Sequence, residues 1–129
     1  DAMDFSGSFV QIEEAFALNV NDKAVSVGEK SIIEINNSSF IAPGIGVTSK
    51  DASTVTVKNT EVKNYKLFGI MSYTKKDFYT DPSSITLINC KVDQPSPYLR
   101  QKGTFMSVDN FEIQERNLNV NQLYSNEGI

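Results

Sequence analysis

The sequence predicts an all-β chain wound into a β-solenoid, and three observations carry that reading. Side chains suited to a pleated surface dominate, with 11 Val and 11 Ile against 6 Leu and 6 Ala. Apolar residues alternate over short stretches such as Val25-Ser26-Val27, Ile33-Glu34-Ile35, Val55-Thr56-Val57 and Ile85-Thr86-Leu87, with turn-forming residues between them. These stretches also recur at a period of about 22 residues.

Ala2-Met3 returns 22 residues later as Ala24-Val25, again as Gly46-Val47, and then as Gly69-Ile70. Val10 and Ile12 return as Ile33 and Ile35, then as Val55 and Val57, then, 30 residues on, as Ile85 and Leu87. Two to three strands per period, with no Leu-rich signature, fit coils stacked as parallel sheets. The expected inward columns are Met3/Val25/Val47/Ile70, Val10/Ile33/Val55/Ile85, Ile12/Ile35/Val57/Leu87 and Phe40/Val62/Val92.

Asn37, Asn59 and Asn89 share one column, where Asn suits a left-handed turn and amides can bond from coil to coil. This predicts a structural ladder that stops at Glu14 in the first coil. Ser38, Thr60 and Cys90 follow it, which makes Cys90 a small packed residue rather than a reactive thiol. Residues 74–82 supply the extra length of the third coil as an insertion, expected to be a protruding loop. The expected division is therefore about four coils over 1–92 and an irregular C-terminal cap over 93–129. The register is lost at Gln94-Pro95-Ser96-Pro97, and Phe105, Met106, Phe111, Ile113, Leu118, Val120 and Leu123 are the candidate cap residues.

Composition bounds the chemistry. A chain of 129 residues is one domain by size, with about 6,800 Å² of folded surface against about 20,700 Å² unfolded. There is no His, no Trp and one Cys, so His-dependent triads, His metal sites and an intrachain disulfide are excluded. A net charge of −4 with scattered lysines argues against a nucleic-acid partner. No apolar run reaches the roughly 20 residues of a membrane helix, so no membrane insertion is expected.

The phrases Asp1-Ala2-Met3-Asp4-Phe5-Ser6-Gly7-Ser8, Asp22-Lys23-Ala24-Val25-Ser26-Val27-Gly28-Glu29-Lys30-Ser31 and Gly44-Ile45-Gly46-Val47-Thr48-Ser49-Lys50-Asp51-Ala52-Ser53 resemble coils of bacterial proteins in the pectate-lyase-like superfamily. The resemblance covers residues 1 to about 92 and implies a right-handed, single-stranded parallel β-helix. It also implies a C-terminal segment of a longer solenoid, with an N-terminal coil open to self-association. The superfamily holds lyases, hydrolases, epimerases and inert adhesins, so it leaves activity open.

Directly after the Val25/Val47/Ile70 strands come Glu29-Lys30, Lys50-Asp51 and Lys75-Lys76, which stacking gathers into a mixed-charge ridge. One reading is a solvated turn face with weak ion pairs. The other is a polysaccharide groove, with Lys50 and Asp51 as catalytic candidates and Glu29, Lys30, Lys75, Lys76, Phe78 and Tyr79 as further binding candidates. Asp1, Asp4, Asp22 and Lys23 form a second cluster. Calcium is the one cofactor the resemblance raises, although no dense carboxylate trio is evident and no metal ligands are assigned. The expected function is a noncatalytic scaffold, or a carbohydrate- or protein-binding segment, of a larger extracellular or cell-surface protein. The alternative is part of a lyase- or epimerase-type enzyme.

Overall fold

In the computed structural model, which describes residues 1–129, each repeat lays down three short strands. The first coil holds β1 (Met3–Ser6), β2 (Phe9–Glu13) and β3 (Phe16–Leu18), and the second β4 (Lys23–Gly28), β5 (Ile32–Asn36) and β6 (Ser39–Ile41). The third holds β7 (Ile45–Lys50), β8 (Thr54–Lys58) and β9 (Glu61–Lys63), and the fourth β10 (Phe68–Tyr73), β11 (Ser84–Ile88) and β12 (Lys91–Val92). A last coil gives β13 (Tyr98–Arg100) and β14 (Phe105–Val108), followed by β15 (Phe111–Glu112) and helix α1 (Val120–Glu127). Sheet A runs β1-β4-β7-β10-β13, sheet B β2-β5-β8-β11-β14-β15, and sheet C β3-β6-β9-β12. All their pairings are parallel except β14 with β15. The chain is an all-β parallel solenoid of about five turns.

The apolar columns follow from the alternation. Met3, Val25, Val47, Ile70 and Tyr98 stand in one register line of sheet A. Val10, Ile33, Val55, Ile85 and Met106 form one line of sheet B, and Ile12, Ile35, Val57, Leu87 and Val108 another. In sheet C the line is Ala17, Phe40, Val62 and Val92. These lines meet in one core cluster that includes fully buried Phe40, Ile35 and Val25. Burying one such side chain contributes about 1.5–3 kcal/mol, so the stacked lines are the main source of stability.

Corners are made by one or two residues in the left-handed region. Glu14, Asn37, Asn59 and Asn89 turn sheet B into sheet C with φ of 54, 53, 50 and 53°. Hydroxyls then fasten coil to coil: Ser31 Oγ accepts the N–H of Ser8, and Ser53 Oγ that of Ser31. At the next corner Ser38 Oγ accepts the N–H of Ala15, and Thr60 Oγ1 that of Ser38. Cys90 continues the line with its Sγ 3.4 Å from the Val57 carbonyl oxygen. Burial, the main influence, raises its pKa, as a packed thiol requires. Gly46 is required where two coils approach, because a Cβ there would collide with the carbonyl oxygen of Gly69.

Two expectations change. The coil count rises from four to about five, because sheets A and B continue past Val92 through β13 and β14. The Gln94–Pro97 loop had interrupted the period without ending the stack. The C-terminal region also contains a helix, with Asn119 accepting the Gln122 N–H at its start and Gly128, φ 68°, closing its end. The helix packs on the outer face of sheet A, where Val120 and Ile129 are buried with Ile45, Met71, Tyr73 and Leu99. Leu118 and Leu123 join that cluster, Met106 is in the main core and Ile113 lies against it, while Phe105 and Phe111 are exposed. Asp109 and Asn110, both with positive φ, make the two-residue turn into β15, which covers the last edge of sheet B.

Candidate functional site

The outer face of sheet A and the turns after its strands bring most of the predicted charges together. Glu29 pairs with Lys76 Nζ and accepts a 2.6 Å hydrogen bond from Ser6 Oγ. The hydrogen bond from Lys76, more than that from Ser6, lowers its pKa. Lys76 is raised in turn, first by that same bond to Glu29. Asp51 is only 1% exposed, and its Oδ1 accepts the backbone N–H groups of Lys75 and Lys76 at 2.7 and 2.8 Å. Asp51 thus fastens the start of the 74–82 insertion to the coil wall, while its Oδ2 is buried without a protein partner. Lys30 is exposed and its N–H bonds the Asp51 carbonyl at 2.9 Å. Phe78 and Tyr79 pack on each other at 4.6 Å between ring centroids, with Phe78 exposed.

Lys50 is different in kind. It ends β7, two residues along the same face from Thr48, and takes part in none of the ion pairs. Its stem lies over Gly28, where a Cβ would stand 3.0 Å from Lys50 Cε. Burial most of all, then repulsion from Lys23 and Lys75, pushes its pKa below the ordinary lysine value, against opposing pulls from Asp4 and Asp51. The row beside it holds Ser26 and Thr48, register partners whose hydroxyls are buried without protein partners.

The wall of this region is aromatic. Tyr124 of α1 and Tyr73 of β10 share a hydrogen bond of 2.6 Å, with rings edge to face at 6.0 Å. Lys75 Nζ lies 4.5 Å and Lys23 Nζ 5.7 Å from the Tyr124 ring centroid. Lys23 is itself buried and paired with Asp22 at 3.2 Å. Two ammonium groups therefore face the Tyr124 ring, and the half-buried, unpaired Lys50, register partner of Tyr73, lies in their field. That arrangement can hold a carboxylate or sulfate, and a lysine held toward its neutral form beside phenols can also exchange a proton. No three carboxylates converge as a metal-ligating group, while Asp4 acts on Lys50 and Asp22 pairs with Lys23.

A second concavity lies at the corner between sheets B and C. It is an open groove of about 520 Å³ running along Asn37, Asn59 and Asn89, with Phe16 and Glu14 at its first-coil end. Within the ladder, Asn89 Nδ2 donates to Asn59 Oδ1 at 2.7 Å, whereas Asn37 Nδ2 donates to Glu13 at 3.3 Å.

Thus Glu29, Lys50, Asp51, Lys75 and Lys76 come together, Lys30 stays at the rim, and the Asn column forms its own corner. The two charged clusters read separately in the sequence join, since Lys23 and Asp4 act on Lys50. Tyr124 was not foreseen as a site residue, because it reaches the face only through an unpredicted helix. Comparison with known protein families, with curated proteins and with solved structures gave no match, so these ladders and contacts carry the assignment of the fold by themselves.

Proposed function

We propose that this chain is a noncatalytic binding segment of a larger bacterial surface or secreted β-helix protein of the pectate-lyase-like kind. Its outer face of sheet A holds an anionic group of a polysaccharide. The observation that supports binding over catalysis is the placement of the acids. Asp51 is buried as the fastener of the insertion and Glu29 is tied to Lys76 and Ser6, so neither is free to serve as an acid or base. Asp22 is paired with Lys23, whereas Lys50 and Lys75 take part in no ion pair, so beside the exposed Asp4 the charge open to a ligand is mainly cationic.

The test pairs two assays on the intact chain: calorimetry with oligogalacturonate, and a screen for unsaturated uronate products. Binding that weakens in Lys50→Met without any product supports the segment as a binder. The rival reading, a lyase-type region, is favoured by the lowered pKa of unpaired Lys50 beside its register partner Tyr73, and product formation abolished by Lys50→Met would establish it.

The partner edge is proposed separately. Strands β1, β2 and β3 each pair on one side only, and Phe9 and Phe16 beside them are 82% and 67% exposed. In the 129-residue chain taken by itself, two copies meeting through this coil would form a closed two-fold contact. An extracellular or cell-surface setting accords with the proposed ligand. No helix is long and apolar enough to cross a membrane.

A further inference from the structure

We infer that the corner between sheets B and C is a second binding site, for a neutral, linear saccharide laid along the Asn37/Asn59/Asn89 column. The site goes beyond the anion-binding reading, because it uses another corner and none of the same residues.

The argument begins with what turn geometry leaves unexplained. Asn37, Asn59 and Asn89 occupy left-handed positions, but their own column begins with Glu14, and the other corners use Glu29, Lys30, Ala42, Asp51 and Ala52 as well as Asn19 and Asn64, at φ of 53 to 62°. Backbone conformation alone therefore does not demand three amides in line. Amide stacking does not demand them either, since only one Asn-to-Asn bond is made. Asn59 Nδ2 and Asn89 Oδ1 are left without protein partners on an exposed surface, offering one donor and one acceptor from adjacent coils.

A donor and an acceptor side by side suit a pair of neighbouring sugar hydroxyls, each of which both gives and accepts a hydrogen bond. Asn59 and Asn89 stand one coil apart, about 4.8 Å, so their free donor and acceptor can meet two hydroxyls of one sugar unit in a chain laid along the column. Phe16, 67% exposed at the first-coil end, supplies an apolar ring face of the kind on which a sugar stacks. The charge of the groove selects against acidic chains. Glu61 is engaged by Ser39 Oγ at 2.9 Å and by Lys63 at 3.1 Å, Lys91 forms no ion pair, and Glu14 is exposed, so a polyuronate finds no cationic cluster here.

The experiment records side-chain amide signals by NMR while cellohexaose, xylohexaose, mannohexaose or hexagalacturonate is titrated into the intact chain, with affinities from calorimetry. The expected result is that a neutral hexamer shifts the Asn59 and Asn89 side-chain amides. Phe16→Ala and Asn59→Gly should each weaken its binding about tenfold, and Lys50→Met should leave it unchanged. Glycine keeps the left-handed turn, and Phe16 is exposed, so both variants are expected to fold, with urea midpoints as the control. No amide shift with any neutral hexamer at millimolar concentration would overturn the inference. So would affinity unchanged in the Phe16→Ala, Asn59→Gly double variant, or binding of hexagalacturonate alone. Loss of hexagalacturonate binding in Lys50→Met bears only on the anionic face.

Discussion

Tyr73 and Tyr124 are 51 residues apart in sequence and share one hydrogen bond of 2.6 Å between their hydroxyls. Tyr73 is fully buried and burial raises its pKa, so its hydroxyl stays protonated and needs that partner. Tyr124→Phe should cost about 1–3 kcal/mol by leaving the Tyr73 hydroxyl unsatisfied. The Tyr73→Phe, Tyr124→Phe double variant should cost less than the sum of the singles, as read from urea midpoints. Strict additivity would show that the hydroxyls act independently.

Val57 stands between Ile35 and Leu87 in the core line, with Lys58 beside it on the outer face. Val57→Asp should destabilise by about 4 kcal/mol or more, because it places a charge in an apolar column. Lys58→Asp loses only an exposed 3.9 Å pair with Glu34 and should cost about 1 kcal/mol or less. Equal losses would mean that the inward and outward positions are misassigned.

The lowered pKa of Lys50 has a defined sign in stability. Where folded Lys50 loses its proton before unfolded Lys50 does, the unfolded state binds more protons and stability rises with pH. The penalty of burying the charged amine is therefore full at neutral pH and is relieved between the depressed folded value and the ordinary lysine value. Lys50→Met should raise stability at pH 7 and flatten the alkaline rise in urea titrations at successive pH values. An unchanged alkaline slope in that variant would assign the rise to another group.

Association through the N-terminal coil should depend on salt. Asp1, Asp4, Glu13, Glu14 and Asp22 all precede or adjoin the first basic side chain, Lys23, so two such coils brought together repel. Sedimentation should show the dimer growing as sodium chloride is raised from low to moderate concentration. A monomer at every salt concentration and at high protein concentration would reject the pairing.

The apolar lines were legible because each coil spends its residues alike. Val25 to Val47 and Ile33 to Val55 keep both spacing and residue type. The last coil was hidden because Ile70 pairs with Tyr98 across a long, proline-bearing loop, and Tyr98-Leu99-Arg100 repeats neither the spacing nor the β-branched character. Helix α1 was hidden for a different reason. Val120-Asn121-Gln122-Leu123-Tyr124-Ser125-Asn126-Glu127 spans barely two turns and holds few strong helix formers, so it depends on docking against Ile45, Met71 and Tyr73. At the site, clustering of the charges followed from the repeat, whereas the fastening role of Asp51 depends on where the insertion folds back.

The hydroxyl fasteners have a direction. Ser8 is held by Ser31 and Ser31 by Ser53, so each of the first two coils receives its clasp from the coil synthesised after it. A turn leaving the ribosome thus stays half-closed until the chain has grown by another 22 or 23 residues, the separation of each clasped pair. The solenoid is built to be assembled in the order of translation, each new turn locking the one before it, in the manner of a ratchet.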